Sequence, residues 1–271
     1  MRPISPAQRR AAIAAVFDEV ADRYDDVGVE WFRPIARRLV EYVRPAPGER
    51  ALDLGCGRGA ALFPLADAVG PTGTVTGVDL SARMIAATRA DVRARGLDNV
   101  RLHVGDAAGP DLPAGGFHVA VASFVLFFLP APVPALRAWR ALLVPGGRVG
   151  VSTFAGSDAG WLPEVFRPYL PAARFGSPFA TDAGVEGLLT AAGFTQVRTR
   201  AFDFEVRFAD ADQWYEWSRS HGQRAVWDRI PAADQQRVRA ATARRLADYR
   251  DAEGWIRFPQ RIRCTLGRRP A

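Results

Sequence analysis

The stretch Glu49-Arg-Ala-Leu-Asp-Leu-Gly-Cys-Gly-Arg-Gly59 does most to limit what this chain can fold into. A strand-like apolar run (50–54) meets Gly55, Gly57 and Gly59, and a helical pattern opens directly behind them. Glycine suits a turn that needs unusual backbone angles and lets a ligand approach the main chain closely. The same alternation then continues. Strand-like runs at 74–79, 100–104, 117–123 and 147–154 are separated by helical stretches near 59–69, 81–95 and 132–143. Such a pattern predicts a parallel sheet with right-handed crossovers, a doubly wound α/β fold.

The flanks extend this frame. Ile13, Val16, Phe17 and Val20, and then Trp31, Ile35, Leu39 and Tyr42, recur at helical spacing, so two helices precede the first strand. Residues 155–180, rich in Pro, Phe and Gly, read as irregular. A helix at 182–192 stops at Gly193, residues 195–208 alternate like a strand, 210–250 return to helix, and a last strand lies within 255–266. The expected organisation is therefore a helical lid at 1–48, a core at 49–209 and 251–271, and a helical insertion at 210–250. The insertion is expected to cap a substrate at the sheet's carboxyl edge, where open α/β sheets bind ligands.

Composition excludes several classes. A length of 271 residues fits one large elaborated domain, and 48% hydrophobic against 24% charged residues leaves room for a sizeable core. No apolar run approaches a membrane span, and Met-Arg-Pro-Ile-Ser-Pro opens the chain without a signal region. A cytoplasmic enzyme without a membrane partner is expected. Cys56 and Cys264 alone make neither a disulfide framework nor a zinc site. A net charge of +7 and a pI near 10.3 invite a nucleic-acid partner. However, every basic residue is an arginine, and the arginines are dispersed beside acids, as in Asp22-Arg23. A solvated charged surface is the better reading, with no nucleic-acid partner and a monomer or homodimer.

The glycine turn alone does not name its ligand. Gly55 to Ala60 also satisfies the dinucleotide pattern, and Asp79, 24 residues after Gly55 at the end of the second strand, suits any ribose diol. Other residues separate the options. Asp53 suits an ammonium group and would repel a pyrophosphate. About 50 residues precede the first strand, unlike the usual dehydrogenase, which starts its nucleotide fold early. Gly105-Asp106-Ala107 offers a second carboxylate where an adenine amino group would lie. An NAD(P)-dependent oxidoreductase is the rival that these features disfavour.

Leu52-Asp53-Leu54-Gly55-Cys56-Gly57-x-Gly59, Val78-Asp79-Leu80-Ser81-x-x-Met84, Gly105-Asp106-Ala107 and Leu142-Leu143-x-Pro145-Gly146-Gly147 stand in order. Together they resemble the class I S-adenosylmethionine (SAM)-dependent methyltransferase family, especially its ubiquinone/menaquinone-biosynthesis-like branch. The opening Phe17-Asp18-x-x-Ala21-x-x-Tyr24-Asp25 is similar to that branch too, and the likeness spans roughly 17–195. It implies a Rossmann-like seven-stranded sheet with an antiparallel end, and SAM as cofactor. Residue by residue, it implies Asp53, Gly55, Cys56 and Gly57 for the methionine moiety and Asp79 for ribose. Leu80 and Met84 would flank adenine, Gly105, Asp106 and Ala107 would meet its edge, and Ser123 would close the cofactor site. It places Tyr24 over the donor methyl, as a catalytic residue.

Methyl transfer is an in-line displacement that needs a positioned nucleophile and little water. The three histidines are scattered, so no metal is expected. The stretch Ala122 to Pro130 is almost wholly apolar and lacks the N/D-P-P-Y/F motif of base-modifying enzymes. An aromatic substrate wall is expected from Trp31, Phe32, Phe124, Phe127, Trp214 and Trp217, with Phe154 beside them, although aromatics at such spacing commonly fill a core. His221 is the candidate base or hydrogen-bond donor; Glu30 and Glu216 are secondary polar anchors. The Tyr24–Phe32 opening and the Trp217–Gly222 segment look similar to actinobacterial methyltransferases of specialised metabolism. The expected acceptor is a carbon or oxygen of an indole- or phenol-like small molecule. A prenyl diphosphate is the alternative, for which Arg224 with Arg33 and Arg219 would have to converge. A SAM-binding protein that transfers no methyl group is a further reading.

Overall fold

A computed structural model describes residues 5–156, 161–170 and 177–271. Seven strands form one sheet: β1 (Arg50–Leu54), β2 (Thr74–Asp79), β3 (Val100–Val104), β4 (Phe117–Ser123), β5 (Leu143–Phe154), β6 (Thr195–Phe208) and β7 (Ile256–Arg268). Their order is β3-β2-β1-β4-β5-β7-β6. The first five pair in parallel, while β7 runs antiparallel to both β5 and β6. The chain reverses strand order between β1 and β4, and such a switch point opens a crevice at the carboxyl ends.

Ten α-helices accompany these strands among the described residues: α1 (Pro6–Val20), α2 (Phe32–Val43), α3 (Leu62–Val69), α4 (Ala82–Ala94), α5 (Pro132–Leu142), α6 (Trp161–Phe166), α7 (Asp182–Ala191), α8 (Ala211–Arg219), α9 (Arg224–Trp227) and α10 (Ala232–Ala247). Sequence patterning anticipates the sheet and most of these elements. Three details differ. Helix α3 begins at Leu62, since the glycine turn consumes the residues before it. A short helix, α6, stands within the stretch that reads as irregular, whose residues 157–160 and 171–176 lie outside the described ones. The 210–250 segment is three helices, interrupted at Ser220–Gln223 and again before Pro231.

Burial explains why the elements sit where they do. Helix α2 buries Phe32, Ile35, Ala36, Leu39, Val40 and Val43 on one face, the 3–4 spacing that an amphipathic helix requires. That face lies so close to β5 that a Cβ on Gly150 would come within 2.2 Å of Val43. The buried guanidinium of Arg148 donates to the carbonyls of Val43 and Arg44 and pairs with Glu49 at 2.7 Å. It thereby satisfies helix-terminal acceptors that would otherwise be orphaned. Strand β1 is buried on both faces beyond Arg50, as a central parallel strand must be.

Helix α1 is held differently. A Ser5–Gln8 capping box starts it, and Asp18 near its end accepts hydrogen bonds from Ser81 Oγ and the Arg83 N–H. Asp18 thus satisfies donors at the N-terminus of α4 and pins α1 beside it. Two ion pairs stitch the end of α1 and the turn after it to the 211–247 helices: Arg224–Glu19 at 3.1 Å and Arg23–Glu216 at 2.8 Å. Gly222 packs against the rings of Phe17 and Phe128, where a Cβ would approach Phe128 to 3.1 Å.

Candidate active site

Strand β1 delivers the chain into a turn with Gly55, Gly57 and Gly59 all at positive φ. A side chain at Gly55 or Gly59 would force a neighbouring side chain to shift even if the backbone allowed it. A Cβ on Gly55 would lie 2.5 Å from Val125, and one on Gly59 would lie 2.4 Å from the Phe63 ring. Gly57 instead faces open space, leaving its main chain approachable. The Asp79 carboxylate shapes the turn by accepting the N–H groups of Gly57 (2.8 Å) and Ser81 (2.9 Å). Burial raises the Asp79 carboxyl above its ordinary range, and those two N–H groups pull it back down. Each carboxylate oxygen keeps a lone pair to offer, so a vicinal diol suits it.

Asp53 lies behind the turn, 1% exposed, with one oxygen lacking any hydrogen-bond partner. Burial, reinforced by Asp79, pushes its carboxyl up to about 8. An uncompensated buried carboxyl of this kind invites a cation. The buried thiol of Cys56 packs under Gly77 and is pushed well above its ordinary pKa by burial.

The glycine turn and Asp79 border a cavity of about 640 Å³ beneath α1 and between the carboxyl edge and helices α6, α8 and α9. Its wall includes Gly55, Gly57, Asp79, Leu80, Met84, Asp106, Ala107 and Ser123 at one end, and Trp31, Phe32, Phe124, Phe127, Phe154, Trp214 and Trp217 at the other. Tyr24 and His221 line it as well. Of the residues singled out by sequence, Asp53, Cys56, Gly105, Arg224, Arg33, Arg219 and the two expected polar anchors Glu30 and Glu216 are not on the wall; Glu216 instead pairs with Arg23. Gly105 instead donates its N–H to the Asp79 carbonyl. Arg224 is engaged by Glu19 and Asp228, Arg33 faces Asp25 at 3.6 Å and Arg219 faces Asp228 at 3.8 Å. The three arginines that a diphosphate would need do not converge.

The aromatic end fills core and wall at once. Trp31, Phe32, Phe124, Trp214 and Trp217 all belong to one buried cluster that extends into β6 and β7. Trp31 contacts Phe32 (4.5 Å), Phe124 (4.6 Å) and Trp217 (5.8 Å) through its ring. Phe124 takes φ +57°, a strained conformation for a bulky residue. That strain turns its ring onto Trp31 and Phe154. Tyr24 stacks on Phe32 at 4.7 Å, and burial, with Asp25 and Asp79 nearby, raises its phenol well above the usual value.

His221 occupies the break between α8 and α9. It lies parallel to Trp31 and edge-on to Trp217 at 4.6 Å. Its Nδ1 accepts the Gln223 N–H at 3.3 Å, which leaves the proton on Nε2. Burial pushes the ring down to about 3, so it is neutral. Nε2–H and the indole N–H groups of Trp31, Trp214 and Trp217 are all buried without a partner, at a cost of roughly 1–3 kcal/mol each. By contrast, Trp139 donates to the Ala107 carbonyl (2.6 Å) and Trp227 to Ser218 Oγ (2.8 Å).

Sequence reading misses several wall residues. Phe128 adjoins the predicted Phe127, and an aromatic run offered that signal. Arg9 and Arg10 at the α1 end, and Gln260 on β7, also line the cavity. They carry no local mark, since contacts far apart in the chain bring them there.

Comparison with known proteins converges on one family. Residues 51–147 match the methyltransferase-domain family. Nocamycin O-methyltransferase of Saccharothrix syringae is 38% identical, covering 94% of this chain and 98% of its own length. Aklanonic acid methyltransferase DauC of Streptomyces sp. (strain C5) is 42% identical over 59% of this chain and 74% of its own. Among solved structures, the [4+2]-cyclase SpnF shares the fold with a TM-score of 0.61 at 23% identity, covering 100% of this chain and 99% of that one. The chain belongs to the class I SAM-dependent methyltransferase family.

Proposed function

We propose that this SAM-dependent small-molecule methyltransferase modifies an oxygen atom of an aromatic specialised metabolite. The observation that carries the reading is one continuous cavity with a nucleoside-type end and an aromatic end. The O-methyltransferase of Saccharothrix syringae, similar along nearly its whole length, supports oxygen over carbon. Arg219 and Arg224 meet on Asp228, Arg33 faces Asp25, and none of the three lines the cavity, which disfavours a prenyl diphosphate held by them.

The residues fit SAM. Asp79 suits the ribose hydroxyls and Leu80, Met84 and Asp106 suit the adenine, while Asp53, buried behind the glycine turn, would favour the methionine ammonium through its charge. When bound, SAM supplies an electrophilic methyl on a sulfonium. The chain's own work is then positioning: Tyr24 and Phe32 present ring faces that favour a cation, and the aromatic wall excludes water. Residues 1–48 act as a lid and 210–250 as a cap over a core made of 49–209 and 251–271. The test is transfer of a labelled methyl group from SAM to a panel of hydroxylated aromatics, indoles and isopentenyl diphosphate. Labelling confined to oxygen acceptors is expected. Labelling of isopentenyl diphosphate, or of an indole carbon alone, overturns the oxygen reading. Tyr24→Phe is expected to lower turnover more than SAM affinity.

A further inference from the structure

Strand β5 ends at Phe154, opposite Ile262 of β7. Past that rung β7 continues outward, still paired with β6, and this extension forms part of the cavity wall. Phe258, Gln260 and Ile262 share one of its faces. Phe258 and Ile262 are 1% and 0% exposed and belong to the cluster that holds Phe166 and Trp214. Gln260 stands between them, 6% exposed, and lines the cavity beside Leu162, Phe166, Trp214 and Phe258. A primary amide on so apolar a face costs free energy unless its polar atoms are engaged.

Only half of this amide is engaged. Nε2 of Gln260 donates to the Pro259 carbonyl at 2.8 Å. A carbonyl can only accept, so this contact fixes which way the amide is turned and directs Oε1 away from it. No group of the chain donates to Oε1. Unlike the indole nitrogens of Trp31, Trp214 and Trp217, which are sealed off, Oε1 keeps accessible surface. A hydrogen-bond acceptor without a donor therefore opens onto the cavity.

The sheet register gives its distance from the nucleoside-type end. Ser123 closes β4 and shares a rung with Ser152 and Cys264. Gln260 lies four residues out from Cys264, roughly 13 Å further along the strand, and two strand spacings, roughly 10 Å, to the side. With the reach of the glutamine side chain subtracted, a molecule bridging the two must span roughly 10 Å. One aromatic ring is too short for this, and three fused rings suit it.

We propose that Gln260 sets specificity for the far end of the acceptor. Its Oε1 receives an O–H or N–H on an elongated, fused-ring molecule, carried by the ring most distant from the oxygen that is methylated. The inference rests on the methyltransferase reading above. A molecule with no donor at that end would bury Oε1 unpaired and bind less tightly.

The test is calorimetric titration of the full chain saturated with S-adenosylhomocysteine. The long probes are 2,6-dihydroxyanthraquinone, with hydroxyls at opposite ends of three fused rings, and 2-hydroxyanthraquinone, which lacks the second. The short probes are 2,6-dihydroxynaphthalene and 2-naphthol. The second hydroxyl should tighten binding about fivefold or more in the long pair. In the short pair it should add no more than the about twofold advantage of two equivalent ends. Gln260→Met should reduce the long-pair gain to that same twofold or less, with S-adenosylhomocysteine affinity unchanged. A side chain that merely filled the wall would weaken both long probes alike and leave their ratio intact, which overturns the proposal. So does a second hydroxyl that helps the short pair as much as the long one, a comparison that needs no variant. Failure to bind S-adenosylhomocysteine at all would instead remove the methyltransferase reading beneath it.

Discussion

Replacing Asp79 by Asn separates the two jobs this side chain performs. Its oxygens accept the Gly57 N–H at 2.8 Å and the Ser81 N–H at 2.9 Å, and they face the cavity where a ribose diol would sit. An amide has one acceptor oxygen, so its NH2 must confront either a backbone donor or the ligand. Losing one hydrogen bond to a charged group costs roughly 1.5–3 kcal/mol, which is about 10- to 150-fold in affinity for SAM. The ligand-free protein should lose far less. Burial already disfavours the Asp79 charge, and removing it also relieves repulsion on Asp53. Calorimetric titration with SAM and S-adenosylhomocysteine reads the first effect, and thermal unfolding reads the second. A ligand present at 100 times the parent's Kd stabilises the parent by about 2.7 kcal/mol, but a hundredfold weaker variant by only ~0.4 kcal/mol. SAM affinity within about threefold of the parent would refute the assignment of Asp79 to the ligand.

Three further outcomes follow from the same geometry. Gly55→Ala should destabilise the fold by roughly 1–3 kcal/mol through its φ of +73° and the 2.5 Å approach to Val125. Adding Val125→Ala should recover the steric part alone in thermal unfolding, and complete recovery would show the backbone to be unstrained. Asp53, at about 8 in the ligand-free protein, is largely protonated at pH 7. An arriving ammonium favours its ionised form, so SAM binding should release up to about one proton near pH 7 and tighten as pH rises towards 8. Calorimetry in buffers of different ionisation enthalpy measures this; Asp53→Asn should abolish it, and equal proton release in that variant would place the titrating group elsewhere. Removing Arg23 and Arg224 together should speed SAM release by up to ~30-fold, because partly exposed pairs are worth ~1 kcal/mol or less each. Stopped-flow displacement checks this, and an unchanged release rate would mean that the stitched roof does not gate the cavity.

The fold was readable because its signals are local. Strand runs such as Ala51–Leu54 and the 3–4 spacing in α2 report burial directly. The beginning of β5 was less so: it starts at Leu143, with Pro145-Gly146-Gly147 inside the strand and a register shift opposite Phe117–Val119. Around the glycine turn, each residue type answers a local steric or electrostatic demand, so Gly55, Gly57 and Asp79 announce themselves. The acceptor end does not. Trp214 is 1% exposed and still borders the cavity, so the choice between core and wall that periodicity poses is not a real alternative. His221 looked equally suited to give or take a proton, and only the Gln223 N–H at its Nδ1 separates the two. Arg224, in sequence a substrate cation, spends its charge on Glu19, some two hundred positions earlier.

Strand β7 returns between β5 and β6, and Phe208 at the end of β6 pairs directly with Ile256 at the start of β7. Everything in 209–255 therefore leaves and re-enters the sheet at a single rung of one ladder, with its two ends about 5 Å apart. Helices hung on such a pair of adjacent anchors can be lengthened, shortened or exchanged without moving the strands that hold the glycine turn and Asp79. The architecture separates inheritance from innovation. On the proposed function, donor binding rests with the parallel half of the sheet, while 209–255 carries Trp214, Trp217 and His221, one part of the aromatic wall, as an exchangeable unit; a chimera joined at Phe208 and Ile256 tests how far that part sets acceptor preference against Trp31, Phe124 and Phe154, which stay behind.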